Sequence, residues 1–310
     1  MENAILTSSD HHANWEALEY WFKVAQEKSV PFVINGDVVG DYNFEGVALN
    51  MGLTVPDKYS PTYKHNGALK ELYRAMIALH AKKLAELIDK YNVLTVFLLG
   101  NHEPVFFCNL VKYFLKNKDL FIDLNSHKGV LDLNGIMVAG IPNTGHLQSY
   151  CHGILSDGEI SRVFAHLRTQ RDLISNFDKD KIESLNDPVR DVDWQRIFGD
   201  SPRNIDVFFT HGQIGRGAWR EDKFADEMPT LVAAAKLSLL SKLTIDAHLH
   251  TSHKMKNVLG RPTLRAVGNN ALLLFKEDNN MFFEELSCDA PFVAKKQLFF
   301  SKEEFDTFKF

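Results

Sequence analysis

Cysteine is scarce in this chain. Three are present among 310 residues, Cys108, Cys151 and Cys288, too few and too scattered for a disulfide framework or a thiolate zinc site. A reducing compartment follows as the expectation. Long apolar runs are also missing: no stretch reaches the roughly 18 residues a membrane helix needs, and the first seven residues lack both a basic region and a long apolar core of the kind that directs export. A cytoplasmic protein with no membrane partner is expected. Nor is there a large excess of charge. A net charge of -5 and a pI near 6.2 offer no overall attraction to nucleic acid or to an anionic membrane, so no nucleic-acid partner is favoured. Repeats, low-complexity tracts and sharp composition breaks are absent too, which points to a single domain over residues 1–310. Its 45% hydrophobic content is enough for a sizeable core.

What is present is a series of short polar motifs, each set at the end of an apolar segment. Residues 4–7 form a strand candidate followed by Asp10-His11-His12. A helical pattern then places Trp15, Leu18, Trp21, Phe22 and Ala25 on one face, with Asn14 as N-cap and Glu16 and Glu19 near its positive end. Residues 30–34 make a compact apolar run that stops at Asn35-Gly36-Asp37, as a buried strand feeding a loop does. Helical spacing returns from 68 to 91. It leads into a third buried run, 94–99, ending on Gly100-Asn101-His102-Glu103. Strand, helix, strand alternation argues for parallel pairing in an α/β layered fold, and such sheets carry their chemistry at the carboxyl ends of the strands.

Further along, Asn134-Gly135 between alternating segments signals a hairpin over 130–139. Residues 205–210 and 243–247 are strand candidates that end on His211 and on His248-Leu249-His250. Two more, 264–275 and 281–286, close the sheet. The segments 41–67 and 143–203 fit neither pattern and read as insertions, the second as a cap beside the site.

Paired divalent cations about 3.5–4 Å apart need a bridging carboxylate, hard oxygen donors and imidazoles arriving from several strands. Asp37 is the candidate bridge. Asp10 with His12, and His248 with His250, are natural donor pairs because alternate residues of an extended segment point the same way. Asn101 can give an amide oxygen, while His102, aimed elsewhere, is free to contact substrate. Asp10 and Asp37 each follow an apolar strand, where an uncompensated carboxylate would be costly and a cation removes that cost. His11 and His253 flank the motifs without fitting them and are expected beside the ligands or in solvent. Asp246 is expected either to cap a turn or to support a ligand.

The motif string Asp-x-His, Gly-Asp, Gly-Asn-His-Glu, His and His-x-His, in this order, resembles the calcineurin-like metallophosphoesterases, and the resemblance runs over essentially the whole chain. It implies an α/β fold, a four-layer αββα sandwich of two mixed sheets flanked by helices. By position it implies Asp10, His12, Asp37 and His250 around one metal, Asp37, Asn101, His211 and His248 around the other, and His102 as the catalytic histidine. Two divalent ions are implied, Mn²⁺ first, with Fe or Zn as the alternatives. A hydroxide bridging them would attack phosphorus in line, so the partner is a phosphoester substrate. The family's protein phosphatases carry a second Asp where this chain has Gly40, with Asp41 one residue later, and Ala247 stands where the family usually has Gly. The missing Asp at position 40 and the absence of the Arg that follows it in those phosphatases favour a small phosphomonoester or phosphodiester over phosphorylated Ser or Thr in proteins. A non-catalytic binding module on the same fold is the reading from another class.

Overall fold

The computed structural model describes residues 1–40, 48–49, 52–54, 67–100, 102–104, 106–127, 130–141, 205–211, 241–248, 253–258 and 261–289. Most of the expected insertion at 41–67 and all of that at 143–203 lie outside them.

Strand β1 (Ala4–Ser8) leads into helix α1 (Trp15–Lys28), then β2 (Phe32–Asn35), helix α2 (Gly67–Tyr91), β3 (Thr95–Leu98), helix α3 (Phe107–Phe114) and β4 (Phe121–Asp123). Asn14 caps α1 as expected, its side chain accepting from the Ala17 amide. The helix stops at Ser29 in a left-handed conformation. Next come β5 (Leu131–Leu133), β6 (Ile136–Ile141), β7 (Ile205–Thr210), β8 (Ser241–Ile245), β9 (His253–Val258), β10 (Arg261–Arg265), β11 (Asn270–Glu277) and β12 (Asn280–Ser287). The β5–β6 turn is Asn134-Gly135, with φ of 55° and 81°, the left-handed pair that a two-residue hairpin turn requires.

These strands form two six-stranded sheets, ordered β12-β11-β1-β2-β3-β4 and β5-β6-β7-β8-β10-β9. β1 to β4 pair in parallel, as do β6, β7, β8 and β10. Antiparallel strands occupy the flanks. Both sheets are therefore mixed, and the parallel centres bring the polar motifs together at the strands' carboxyl ends.

The expected single strand over 264–275 is two strands in different sheets. β10 lies parallel to β8 in the second sheet, and β11 lies antiparallel to β1 in the first. Between them Gly268 takes φ 59°, its amide donates to Ser9 O, and the Trp21 indole N–H donates to its carbonyl. Apolar residues on both sides of Gly268-Asn269-Asn270 record burial but not a change of sheet, which explains the difference.

Apolar side chains divide between two layers. Trp21, Phe22, Phe32, Ile34, Phe97 and Phe107 pack between the first sheet and its helices, while Ile5, Val33, Val96, Leu98, Phe209 and Ile245 pack between the sheets. Val33 and Ile34 thus face opposite layers, as neighbours on a strand buried on both faces must. Each such side chain contributes about 1.5–3 kcal/mol through burial. Among the described residues no helix is long and apolar enough to cross a membrane.

Candidate metal centre

The loop after β1 runs beside the loop after β2. Asp10 N donates to Gly36 O at 3.1 Å, His12 N to Asp37 O at 2.9 Å and Ala13 N to Val38 O at 2.8 Å. This pairing continues although Asp10, His12, Ala13 and Asp37 have φ of 52°, 44°, 60° and 55°. Extended geometry, expected to make Asp10 and His12 point alike, is therefore not what aims them. His248 joins the group with φ 73°. Left-handed backbone at non-glycine residues costs roughly 1–3 kcal/mol each and collects at functional sites, where the surroundings enforce it. Ala247 is absent from the positive-φ residues, so a methyl group in place of the family's usual glycine is accommodated without strain.

Asp37 Oδ2 is the focus of the site. His211 Nε2 stands 3.1 Å from it, and His12 Nε2 and His102 Nε2 each stand 3.8 Å away. Ligand atoms sharing one cation at bonds of about 2.0–2.2 Å lie about 3–3.5 Å apart, close to this spread. Two overlapping groups, His12-Asp37-His102 and Asp37-His211-His248, keep one donor atom per residue within 4.8 Å of each other. Asp10 Oδ1 lies 3.9 Å from His12 Nε2. Its carboxylate also accepts from the His248 amide at 3.1 and 3.2 Å and from Ser9 Oγ at 2.5 Å. Asn101 and His250 lie outside the described residues.

Charge in this cluster is out of balance in a way that suits a cation. Burial would raise the Asp37 pKa, but His211, His102 and His12 hold it well below the ordinary carboxylate range. Burial would lower that of His211, yet the carboxylates of Asp37 and Asp10 push it up to about 10. The same carboxylate charge that favours a proton on His211 favours any cation there, and a divalent ion bound at Nε2 would take that proton's place. The nitrogen and oxygen donors fit a borderline or hard divalent metal.

Motif glycines leave the room the ligands occupy. A Cβ on Gly100 would come 2.1 Å from Asp37 Oδ1, and one on Gly36 would come 2.4 Å from His211 Nδ1. A side chain at Gly40 would begin 3.2 Å from Ala13 Cβ and from His12 O. The position that carries an Asp in protein phosphatases therefore has little space here. Asp41 lies outside the described residues.

His102 differs from its expected orientation. Rather than aiming elsewhere, its ring meets that of His12 edge to face, with centroids 4.9 Å apart, and its amide donates to Asp37 Oδ1 at 3.0 Å. Its side chain is 21% exposed, whereas those of His12 and His211 are 0% exposed, so it borders the open side of the cluster. His11 is buried rather than in solvent, with Nε2 2.8 Å from Ser8 Oγ. His253 opens β9. Asp246 forms a buried bidentate pair with Arg265, Nε to Oδ1 at 2.9 Å and Nη2 to Oδ2 at 2.6 Å, holding the segment that delivers His248.

Glu103 has a part that the motif alone did not reveal. Fully buried, it accepts the amides of Asp37 at 3.0 Å, Gly100 at 2.9 Å and Val39 at 2.8 Å, joining the loops after β2 and β3. Burial and the nearby Asp37 charge push its pKa up to about 7 against those hydrogen bonds. The signal in the sequence was an acidic residue closing a buried loop, where only peptide donors are at hand.

A search among curated proteins returned no match. Among solved structures, one crystal structure shares 13% identity over 93% of this chain and 100% of its own, with a TM-score of 0.54, which shows a common fold. The protein TT1561 of Thermus thermophilus aligns at 9% identity over 92% of this chain and 99% of its own, TM-score 0.46. The Haemophilus influenzae NAD nucleotidase NadN aligns at 10% identity over 92% of this chain and 55% of its own, TM-score 0.40. The family model described as calcineurin-like phosphoesterase matches residues 4–254, most of the chain. With two mixed sheets and flanking helices around a cluster of histidines and aspartates, this chain belongs to the calcineurin-like phosphoesterases, a family that hydrolyses phosphoesters in a metal-dependent way at a binuclear centre.

Proposed function

We propose that the chain hydrolyses a small phosphomonoester or phosphodiester, with Asp10, His12, Asp37 and His250 holding one divalent cation and Asp37, Asn101, His211 and His248 the other. The observation that carries this reading is the convergence of three imidazoles on Asp37 Oδ2. Bound cations of this kind lower the pKa of water and neutralise charge on phosphoryl oxygens. Mn²⁺ is the preferred ion and Fe or Zn the alternatives, since a mixed carboxylate, amide and imidazole set accepts all of them.

His102 acts on the substrate in this reading. Its half-open position lets Nε2 reach a phosphoryl or leaving-group oxygen, where an imidazole stabilises developing charge or delivers a proton. The His102 amide bond to Asp37 Oδ1 fixes the loop it comes from. A small ester is favoured over a phosphoprotein because the crowding at Gly40 leaves no easy place for the protein phosphatases' second Asp. Cytoplasmic residence belongs to the same reading and rests on the scarcity of cysteine, three among 310 residues.

Hydrolysis of p-nitrophenyl phosphate and bis-p-nitrophenyl phosphate, with metal content measured alongside, tests the assignment. His102→Ala is expected to keep both metals and lose at least about a hundredfold in kcat. Loss of a metal would move His102 into the ligand set, and an unchanged kcat would remove it from the chemistry.

A further inference from the structure

One amide interrupts the apolar layer between the sheets. Asn35, the last residue of β2, is in register with Leu98 of β3, and by strand alternation it shares the inter-sheet face with Val33. The apolar cluster between the sheets includes Leu98, Phe209 and Ile245. The side chain is fully buried. Its Nδ2 donates across the layer to Thr210 O at 3.0 Å and to Ile245 O at 3.4 Å. A carbonyl oxygen cannot face two others, so the amide's orientation is fixed by these contacts. Oδ1 is buried with no hydrogen-bond partner among the described residues, a cost that leucine at this position would avoid and one that calls for an explanation.

The explanation lies in what Thr210 and Ile245 carry. The Thr210 carbonyl belongs to the peptide leading into His211, and that of Ile245 begins the segment reaching His248. The main-chain carbonyl of Asn35 also lies 2.8 Å from His211 Nδ1, which leaves Nε2 to face Asp37 Oδ2 at 3.1 Å. Asp37 itself is two residues beyond Asn35. A single residue thus touches both strands that bring histidines from the second sheet, fixes the tautomer of one of them, and leads directly to the shared carboxylate from the first.

We propose that Asn35 is a positioning residue that sets the distance and orientation between the two sheets' contributions to the metal centre, a role that rests on the metal-binding reading above. Partners that orient ligating imidazoles govern metal affinity as well as turnover. Asn35→Leu removes both donors while suiting the apolar layer, so it separates positioning from stability.

Calorimetric titration with Mn²⁺ and the visible absorption of the Co²⁺-loaded protein make the test. Expected are two Mn²⁺ per wild-type chain, and in Asn35→Leu a thermal midpoint no lower than wild type, one cation bound roughly 10–100-fold more weakly, and an altered Co²⁺ spectrum. Wild-type affinity for both cations with an unchanged Co²⁺ spectrum would overturn the role of Asn35 alone. A wild-type protein that takes up no divalent cation would overturn the metal-centre reading and this inference with it. Should Asn35→Leu fail to fold, Asn35→Asp carries the same test, because it keeps the shape and turns a carboxylate towards the two carbonyls. Unweakened Mn²⁺ binding in that variant would also refute the role.

Discussion

Replacing Glu103 by glutamine changes one atom and should cost more than most core substitutions. The carboxylate accepts the Val39 amide on Oε1 and the amides of Asp37 and Gly100 on Oε2. Glutamine can keep an acceptor on one side only. In its better orientation the oxygen serves Asp37 and Gly100, and the new NH₂ faces the Val39 N–H, donor against donor. One charge-assisted bond, about 1.5–3 kcal/mol, is lost and two others fall to neutral strength, while relief from burying a charge offsets part of this. A net destabilisation of about 2–4 kcal/mol follows. Urea unfolding of metal-stripped protein measures it, and Mn²⁺ affinity should weaken too because the Asp37 backbone is held by the same group. Glu86→Gln is the control: that side chain is 63% exposed in a pair with Lys82, and its loss should stay within about 0.5 kcal/mol. A Glu103→Gln protein with the wild-type urea midpoint and Mn²⁺ affinity would refute the reasoning.

Two other perturbations probe the frame around the site. Arg265→Met removes the bidentate partner of the buried Asp246 carboxylate and should destabilise by about 3–5 kcal/mol, whereas Asp246→Leu/Arg265→Met together should recover most of it; equal urea midpoints for single and double variants would contradict this. Asp206 is buried between Lys242 Nζ and Lys276 Nζ, each at 2.8 Å, and the Met137 amide at 2.9 Å. Burial would raise its pKa, but these partners hold it below the ordinary value of 3.8. A depressed folded pKa gives stability that is present above the unfolded value and lost as pH falls through the folded one. Asp206→Asn should therefore flatten the acid limb of a stability-versus-pH curve below about pH 4; an acid limb identical to wild type would exclude Asp206 as a contributor.

The sequence was informative where causes are local. Asn14 as a cap, Asn134-Gly135 as a turn, and apolar runs ending at Asn35, Leu98, Thr210 and Ile245 are set by a few neighbouring residues, and the parallel order of β1 to β4 follows from strands alternating with helices. What stayed hidden depends on distant partners or on backbone conformation. Nothing near Asp246 announces Arg265, and nothing near Asn35 announces Thr210. The left-handed backbone at Asp10, His12 and His248 leaves no mark in residue type beyond the tolerance of Asp and His for that region. Crossing from β10 to β11 between sheets was concealed because the residue pattern records strand and burial but not which sheet a strand joins. His102 was expected to aim elsewhere because it is adjacent to Asn101, yet its bond to Asp37 Oδ1 keeps it beside the cluster.

The central claim is that Asp37 joins two cations into one hydrolytic centre, and metal content paired with phosphoester turnover tests it most directly. Metal-stripped wild-type protein reloaded with Mn²⁺ should hold two ions per chain and hydrolyse p-nitrophenyl phosphate or bis-p-nitrophenyl phosphate. Asp37→Asn, treated in the same way, should bind fewer ions or bind them more weakly and lose that activity. An Asp37→Asn protein with two tightly bound Mn²⁺ and wild-type turnover would contradict the account.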